Sequence, residues 1–212
     1  MPLQPPEPFD WEGMRQTQVA MEPMCCDPAP GDRINSFALV SYIPGRLGDF
    51  ITRLREDLVQ GCVARSHVTI LPPRPLQVDA HTAADQVRSG LAPFNAFELD
   101  MPRIRVFEQT AVVFCEIGKG REELFDLHEA MNRDGLYFDE PFDFHPHVTL
   151  AQGISSEALP EVYERAVSEW RQFAPSSLVT IETVTFVQNT VGNVWIDLEE
   201  CELRGLAAVP HR

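Results

Sequence analysis

Two short segments of this 212-residue chain carry the same pair of reactive side chains, a histidine followed two residues later by a threonine. They are His67-Val68-Thr69 and His147-Val148-Thr149. An imidazole titrates near pH ~6.5, so one ring can accept a proton while a second, protonated ring donates one. Threonine hydroxyls are neutral donors suited to the non-bridging oxygens of a phosphate. These residue types predict general acid-base chemistry on a phosphate ester.

The doubling of the motif makes it specific. By chance, a chain with six histidines should contain roughly one that is followed two residues later by serine or threonine, so a single copy would mean little. The two segments instead agree at three positions and place an aliphatic residue, Ile70 or Leu150, at the fourth. Two alternatives stay open. Both histidines could be core residues bonded to backbone, or His67, His145 and His147 could form a zinc site.

The elements around the two motifs recur in one order: strand, helix, motif strand, helix, strand. Residues two apart on a strand project from the same face. Each motif histidine therefore points with its own threonine, while Val68 and Val148 point into packing. We predict an α+β fold of two similar lobes that face each other, with the motif side chains in the cleft between them.

The individual elements follow from periodicity and helix-capping signals. The first unit is predicted to begin with a strand at 37–43 and a helix with Leu47, Phe50, Ile51, Leu54 and Leu58 on one face. A strand at 67–71, a helix that runs from a capping box at Thr82 and Asp85 to Leu91, and an extended segment at 97–108 are predicted next. The second unit is predicted to begin with a strand at 111–117 and a helix with Leu124, Leu127, His128 and Met131 on one face and Gly135 beyond its end. A strand at 147–150 and a helix with Pro160 in its first turn are predicted next. The unit is predicted to end with one strand at 179–187 and a turn at Gly192-Asn193 into a last strand at 194–198.

Charge and composition narrow the class of protein. The 32 Asp and Glu against 17 Lys and Arg give a net charge of -15. Binding to long nucleic acid is driven by many basic side chains, so we expect no long nucleic acid as a partner. Five cysteines without a C-x-x-C pair, and no signal peptide or membrane-length apolar stretch, favour a cytoplasmic protein that does not enter a membrane.

The ends of the chain differ from its middle. Residues 1–33 are rich in proline and are predicted to be a flexible extension, in which Cys25-Cys26 are two free thiols. Residues 34–205 are predicted to form the bilobal domain, and 206–212 a C-terminal tail.

The paired segments His67-Val-Thr-Ile-Leu71 and Pro146-His-Val-Thr-Leu150, about eighty residues apart in a duplicated chain, resemble the two-histidine (2H) phosphoesterase superfamily, and within it the 2'-5' RNA ligase family. The resemblance implies two antiparallel sheets facing a central cleft, with helices outside. It implies catalysis by His67, Thr69, His147 and Thr149 without metal or other cofactor, on 2',3'-cyclic phosphate or 2'-5' phosphodiester bonds. For opening a cyclic phosphate it suggests His147 as base and His67 as acid, with the threonines holding the phosphate.

Substrate contacts are less sharply indicated. The ligase-like members often carry a basic residue after the second motif, where this chain has Ala151-Gln152. Arg74 is expected to supply the positive charge instead, or else to be an exposed arginine of a loop, and Arg65 is a further candidate. A base could stack on an aromatic ring near the strand ends. The candidates are Tyr42, Tyr137, Phe142 and Phe144, the last three in the segment 134–146 that lengthens the second unit.

The expected partner is a small nucleotide or a short RNA end with a cyclic phosphate, bound by a monomer. A non-catalytic nucleotide-binding module that uses the same cleft is the main alternative, and a zinc hydrolase is the third.

Overall fold

The computed structural model describes residues 29–173 and 177–205. This part of the chain contains four α-helices and nine β-strands, which confirms the α+β class. The helices are α1 (Gly45–Leu58), α2 (Ala80–Leu91), α3 (Arg121–Met131) and α4 (Leu159–Gln172). The strands are β1 (Arg33–Tyr42), β2 (His67–Arg74), β3 (Phe97–Asp100), β4 (Arg103–Phe107), β5 (Val112–Glu116), β6 (His147–Ala151), β7 (Leu178–Ile181), β8 (Thr183–Thr190) and β9 (Trp195–Glu202).

The predicted terminal segments fall mostly beyond this part of the chain. Residues 1–28, with Cys25-Cys26, and the tail 206–212 lie outside the described residues. Arg33, the last residue of the predicted extension, is already the first residue of β1.

The strands form three antiparallel sheets, in the orders β2-β1-β8-β9, β4-β5-β6 and β3-β7. The four-stranded sheet joins strands from both ends of the sequence, because β8 and β9 pair beside β1 and β2. Likewise β4, from the first sequence unit, pairs with β5 of the second. The lobes are therefore built from strands of both sequence units. Each motif strand is an edge strand of its sheet, β2 in one and β6 in the other.

Two predicted extended segments are divided in the structure. The segment 97–108 is split into β3 and β4, with Pro102 between them, a residue that has no N–H to continue a ladder. The predicted single strand 179–187 is β7 followed by β8, which belong to different sheets. The break falls at Glu182, whose carbonyl accepts a hydrogen bond from Leu203 N–H at 2.8 Å.

The helix ends agree only in part with the capping signals. α2 begins earlier than the predicted capping box, because the Asp79 carboxylate accepts hydrogen bonds from the N–H groups of His81 and Thr82, both at 3.0 Å. Thr82 is therefore inside the first turn. Pro160 lies in the first turn of α4, as expected. α3 follows Gly120, which has a φ of 85°, and an added Cβ there would lie 2.7 Å from the Glu98 carbonyl oxygen.

One hydrophobic core joins the two lobes. It combines residues of α1 such as Ile51 with residues of both motif strands, including Val68 and Val148. Each such fully buried aliphatic side chain contributes roughly 1.5–3 kcal/mol to folding. Within the described part of the chain, no helix is long and apolar enough to cross a membrane.

Candidate active site

The two motif strands present alternating side chains, as the period of two requires. In β2, Val68 and Ile70 are buried while His67 and Thr69 are half-buried, and β6 repeats the pattern with His147 and Thr149 half-buried. We call the side of β2 and β6 that carries these four residues the motif face. The buried residues between them belong to the core, so the motif face is turned away from it. The edge strands β2 and β6 also contact each other across the two sheets.

The two imidazoles are held in the same way. His67 Nδ1 lies 2.7 Å from the Arg65 carbonyl oxygen, and His147 Nδ1 lies 2.7 Å from the His145 carbonyl oxygen. Each histidine is the first residue of its strand, so the residue two positions earlier precedes the strand. A carbonyl can only accept a hydrogen bond, so Nδ1 carries the proton in the neutral ring and Nε2 keeps its lone pair. Nε2 is then the atom able to accept or donate a proton during a reaction.

The surroundings of both rings disfavour the imidazolium form. Burial, followed by the charge of Arg55, lowers the pKa of His67 from 6.5 to about 4. Burial also lowers the pKa of His147, and the charge of His145 lowers it further. A proton on His147 itself lowers the pKa of His67, so the two rings interact electrostatically across the strands. In the protein without an anion bound here, both rings are mainly neutral at pH 7.

A polar cluster lies beside His67. Tyr42 is the cross-strand partner of His67, and the two rings meet edge to face with centroids 6.4 Å apart. The Arg65 guanidinium lies 3.6 Å from the centre of the Tyr42 ring and 3.4 Å from Asp197. The Tyr42 hydroxyl donates to Asp197 at 2.5 Å. Burial, with Asp197 next, raises the pKa of Tyr42, so the phenol remains a neutral donor.

An aromatic cluster lies beside His147. The Phe107 and Phe114 rings are stacked with centroids 4.0 Å apart. Each meets the His147 ring at a steep angle with a centroid distance of 5.2 Å, and each also contacts His145. These contacts explain why the His147 imidazole is poorly solvated. Phe107 is half-buried and was not among the residues that the sequence singled out.

β4 brings a basic stripe to the same side of its sheet. Arg103 is the cross-strand partner of Glu116, and Glu116 is the partner of His147, so the three residues share one face. Arg103 and Arg105 both form ion pairs with Glu116 and remain mostly exposed. The alternation Arg103-x-Arg105-x-Phe107 on one predicted strand is the signal that could have identified this surface.

The surroundings of Arg74 differ from those expected from the sequence. Its side chain is only 2% exposed and pairs with Glu140, while Nη1 donates to Asn132 at 2.7 Å and to the Leu136 carbonyl at 3.1 Å. Burial lowers the pKa of Arg74, and Glu140 opposes that shift. Arg74 is thus neither the exposed loop arginine nor the free phosphate-binding cation that the sequence allowed, because Glu140 neutralises its charge.

The aromatic candidates in the segment 134–146 occupy different positions. Phe144 stacks on His128, with ring centres 3.9 Å apart, and meets Phe125 edge to face. One of its faces is therefore already covered by another ring. Tyr137 and Phe142 are exposed. Of the aromatic candidates, Tyr42 has a ring that meets a motif histidine, His67.

The zinc alternative requires at least three suitable ligands close together. In residues 29–173 and 177–205, no group of three His, Cys, Asp or Glu side chains is arranged so that it could hold a metal ion. His145 and His147 are neighbours, with ring centroids 6.4 Å apart, but no third ligand joins them in this part of the chain.

Comparison with known proteins places this arrangement in a family. A Staphylococcus aureus (strain JH1) protein, whose name assigns it provisionally as a phosphoesterase, is 28% identical over 101 residues. That match spans 47% of this chain and 59% of the relative's length. A crystal structure of a phosphoesterase aligns with a TM-score of 0.55 at 15% identity, over 82% of this chain and 99% of its own.

Escherichia coli LigT in complex with 3'-AMP aligns with a TM-score of 0.53 at 15% identity, over 82% of this chain and 98% of that chain. These two structures confirm the expected fold, with antiparallel sheets and helices. The family description "2'-5' RNA ligase superfamily" matches residues 43–193, which is most of the chain and includes both motifs. The resemblance carried by the paired motifs is thereby confirmed, and the chain belongs to the 2'-5' RNA ligase superfamily.

Proposed function

We propose that the chain is a metal-independent phosphoesterase that acts by paired-histidine acid-base catalysis on 2',3'-cyclic phosphate or 2'-5' phosphodiester bonds of nucleotides or short RNA ends. One observation carries the proposal. Two His-x-Thr motifs lie on adjoining edge strands, and each histidine is anchored through Nδ1 so that Nε2 can exchange a proton. Membership of the superfamily supports the same chemistry.

The proposed hydrolysis needs only these side chains and water. The Nε2 atom of one histidine takes a proton from a water molecule as the water oxygen forms a bond to phosphorus. The bond from phosphorus to one ribose oxygen breaks, and the second histidine gives the Nε2 proton to that oxygen. Thr69 and Thr149 donate hydrogen bonds to the non-bridging oxygens, where negative charge develops. Ligation to a 2',3'-cyclic phosphate is the same exchange with a ribose hydroxyl in place of water, and its reverse cleaves a 2'-5' phosphodiester bond.

The surroundings of the motif face suit a small nucleotide. Phe107 and Tyr42 lie against the two histidines and provide aromatic surface for a base. Three arginines, Arg65, Arg103 and Arg105, lie around the same face against two carboxylates, those of Asp197 and Glu116. The face therefore keeps a net positive charge in a protein whose net charge is -15. This local charge favours a short anionic ligand, and the solved complex of LigT with 3'-AMP supports a nucleotide.

A turnover assay tests the proposal directly. We expect the purified protein to open 2',3'-cyclic nucleotides to nucleoside monophosphates in the presence of EDTA at an undiminished rate. A panel of cyclic and 2'-5' linked nucleotides would identify the preferred substrate, with calorimetric titration of AMP run alongside. Tight binding of nucleotides without any product would instead support the non-catalytic binding module, and loss of activity on chelation would support the zinc hydrolase.

The pH dependence of kcat/KM follows from the lowered pKa values. The free enzyme is active when the two imidazoles share one proton, so kcat/KM peaks between their two pKa values. Both pKa values lie below 6.5, that of His67 at about 4, so the maximum is expected below pH 6.5. Above it the acid loses its proton and kcat/KM falls roughly tenfold per pH unit. A bound phosphate anion favours imidazolium, so kcat should peak at higher pH than kcat/KM.

Initial rates measured from about pH 4 to 9 at constant ionic strength would check this expectation. A kcat/KM maximum above pH 7 would contradict it.

A further inference from the structure

Three side chains beside the first motif, those of Arg65, Tyr42 and Asp197, contact one another. The Arg65 guanidinium lies 3.6 Å from the centre of the Tyr42 ring and 3.4 Å from Asp197. The Tyr42 hydroxyl donates to Asp197 at 2.5 Å. Tyr42 is the cross-strand partner of His67, so the three side chains lie on the motif face. The ring and the carboxylate together hold the guanidinium in place.

The rest of the fold fixes this group of three relative to His67. The Arg65 carbonyl oxygen lies 2.7 Å from His67 Nδ1, and the rings of Tyr42 and His67 meet edge to face. The Tyr42 ring also packs against buried apolar residues of the four-stranded sheet, namely Ala38, Val40 and Val187. A ligand that rests on Arg65 would therefore be held at a defined position relative to the His67 imidazole.

The guanidinium presents a free planar surface. The side chain of Arg65 is 62% exposed and that of Asp197 is 47% exposed, so solvent reaches both. A guanidinium that lies against one ring can stack a second flat group on its opposite side, and nucleobases are stacked on arginine planes in this way. Because Asp197 balances its charge, Arg65 suits a neutral planar ligand better than a phosphate.

The Asp197 carboxylate adds a preference among flat ligands. A carboxylate has about four acceptor positions, and the contacts with Tyr42 and Arg65 use two of them. It can only accept hydrogen bonds, so it pairs best with a base that has donors side by side. Guanine has N1–H next to N2–H₂, whereas adenine, cytosine and uracil each place an acceptor beside the donor.

We propose that Arg65, Tyr42 and Asp197 form the base-binding subsite and that this subsite selects guanine. The inference rests on the proposed function, because it places the base of the nucleotide whose phosphate lies at the two motifs. The base stacks on the outer plane of Arg65, and its N1–H and N2–H groups donate to Asp197. The ribose connects this base to the phosphate beside His67, whose ring centre is 6.4 Å from that of Tyr42.

Calorimetric titration of the full-length protein tests the choice of base without turnover. The probes are the 3'-monophosphates of guanosine, inosine and adenosine. We expect 3'-GMP to bind at least about tenfold more tightly than 3'-AMP, with 3'-IMP, which lacks the N2 amine, between them. Equal affinities for 3'-GMP and 3'-AMP would overturn the inference and leave the proposed function standing. Absence of turnover by the wild-type protein would refute the proposed function without changing this binding result.

A substitution of Asp197 tests its part in this choice. Asp197→Asn replaces one acceptor oxygen by a donor amide and keeps a partner for the Tyr42 hydroxyl. We expect it to weaken binding of 3'-GMP by about 10–100-fold and binding of 3'-AMP by no more than about threefold. Asp49→Asn makes the same change at an exposed position of α1 and should leave both affinities within about twofold of wild type. An equal loss for both nucleotides in Asp197→Asn would overturn the selection of guanine.

Two further variants separate this subsite from competing positions on the motif face. Phe107→Leu removes the aromatic surface beside His147, and we expect the preference for 3'-GMP to remain. Arg65→Met removes the planar cation and should weaken both nucleotides by about tenfold, while the Kd of inorganic phosphate stays within about threefold of wild type. Loss of the preference in Phe107→Leu would place the base at β4, and loss of phosphate binding in Arg65→Met would make Arg65 a phosphate ligand. Either result would overturn the inference.

Discussion

Replacement of either motif histidine by asparagine is expected to lower kcat for a 2',3'-cyclic nucleotide by about 10²–10⁴-fold. Asparagine retains an N–H donor near the position of Nδ1, which in His67 and His147 contacts the carbonyl two residues earlier. It has no group at the position of Nε2 that can carry a proton. The variants therefore remove proton transfer while preserving the local anchor, and steady-state kinetics at several pH values would measure the loss.

The double variant sharpens this prediction. A general acid and a general base that act in one step are not independent, so removing both should cost about as much as the more damaging single change. His81 provides the control, since its side chain is 85% exposed on α2 and forms an ion pair with Asp85. We expect His81→Asn to leave kcat within about twofold of wild type. Full activity in either motif variant would remove the catalytic role of that histidine.

Local sequence patterns predicted the parts of the site that depend on strand geometry. The period of two at His67 and Thr69, and again at His147 and Thr149, correctly separated the half-buried motif residues from the buried valines. Helix faces were predicted equally well, because the 3.6-residue period of α1 requires only neighbouring residues. Strand alternation and helix faces depend only on residues within one strand or one helix.

Strand pairing could not be predicted in the same way. Val40 of β1 pairs with Thr185 of β8, far along the sequence, and no local pattern records that choice. The repeated order of elements suggested one lobe per unit, whereas the sheets exchange strands between units. The same limit applied to the segment 179–187, whose alternation is uniform although β7 and β8 join different sheets.

Buried arginines were also missed, for a related reason. Arginine is rarely buried without a compensating partner, so sequence alone favours exposure for Arg55 and Arg74. The partner of Arg74 is Glu140, in the long segment before the second motif, and the contact of Arg55 is a backbone carbonyl of β6. Both interactions appear only once the two halves of the chain are packed together.

The ion pair between Arg74 and Glu140 leads to the largest expected effect on stability. Glu140→Gln should lower the free energy of unfolding by about 3–5 kcal/mol, because it leaves a guanidinium buried without a counter-charge. The two side chains are only 2% and 12% exposed, so water cannot replace the lost carboxylate. Glu140 also lies 3.6 Å from His128, whose Nδ1 is 2.8 Å from the Ile70 carbonyl oxygen of β2. The variant therefore weakens the attachment of the segment 134–146 to the first motif strand.

Urea unfolding of matched variants would measure this effect. Glu98→Gln is the control, since the pair of Glu98 with Lys119 is exposed and should contribute no more than about 1 kcal/mol. Replacing Arg74 and Glu140 together by leucine should recover part of the loss, because no uncompensated charge remains, although Asn132 and the Leu136 carbonyl lose a donor. If Glu140→Gln were as stable as Glu98→Gln, the pair would be a solvent-screened contact and Arg74 would be free to bind an anion.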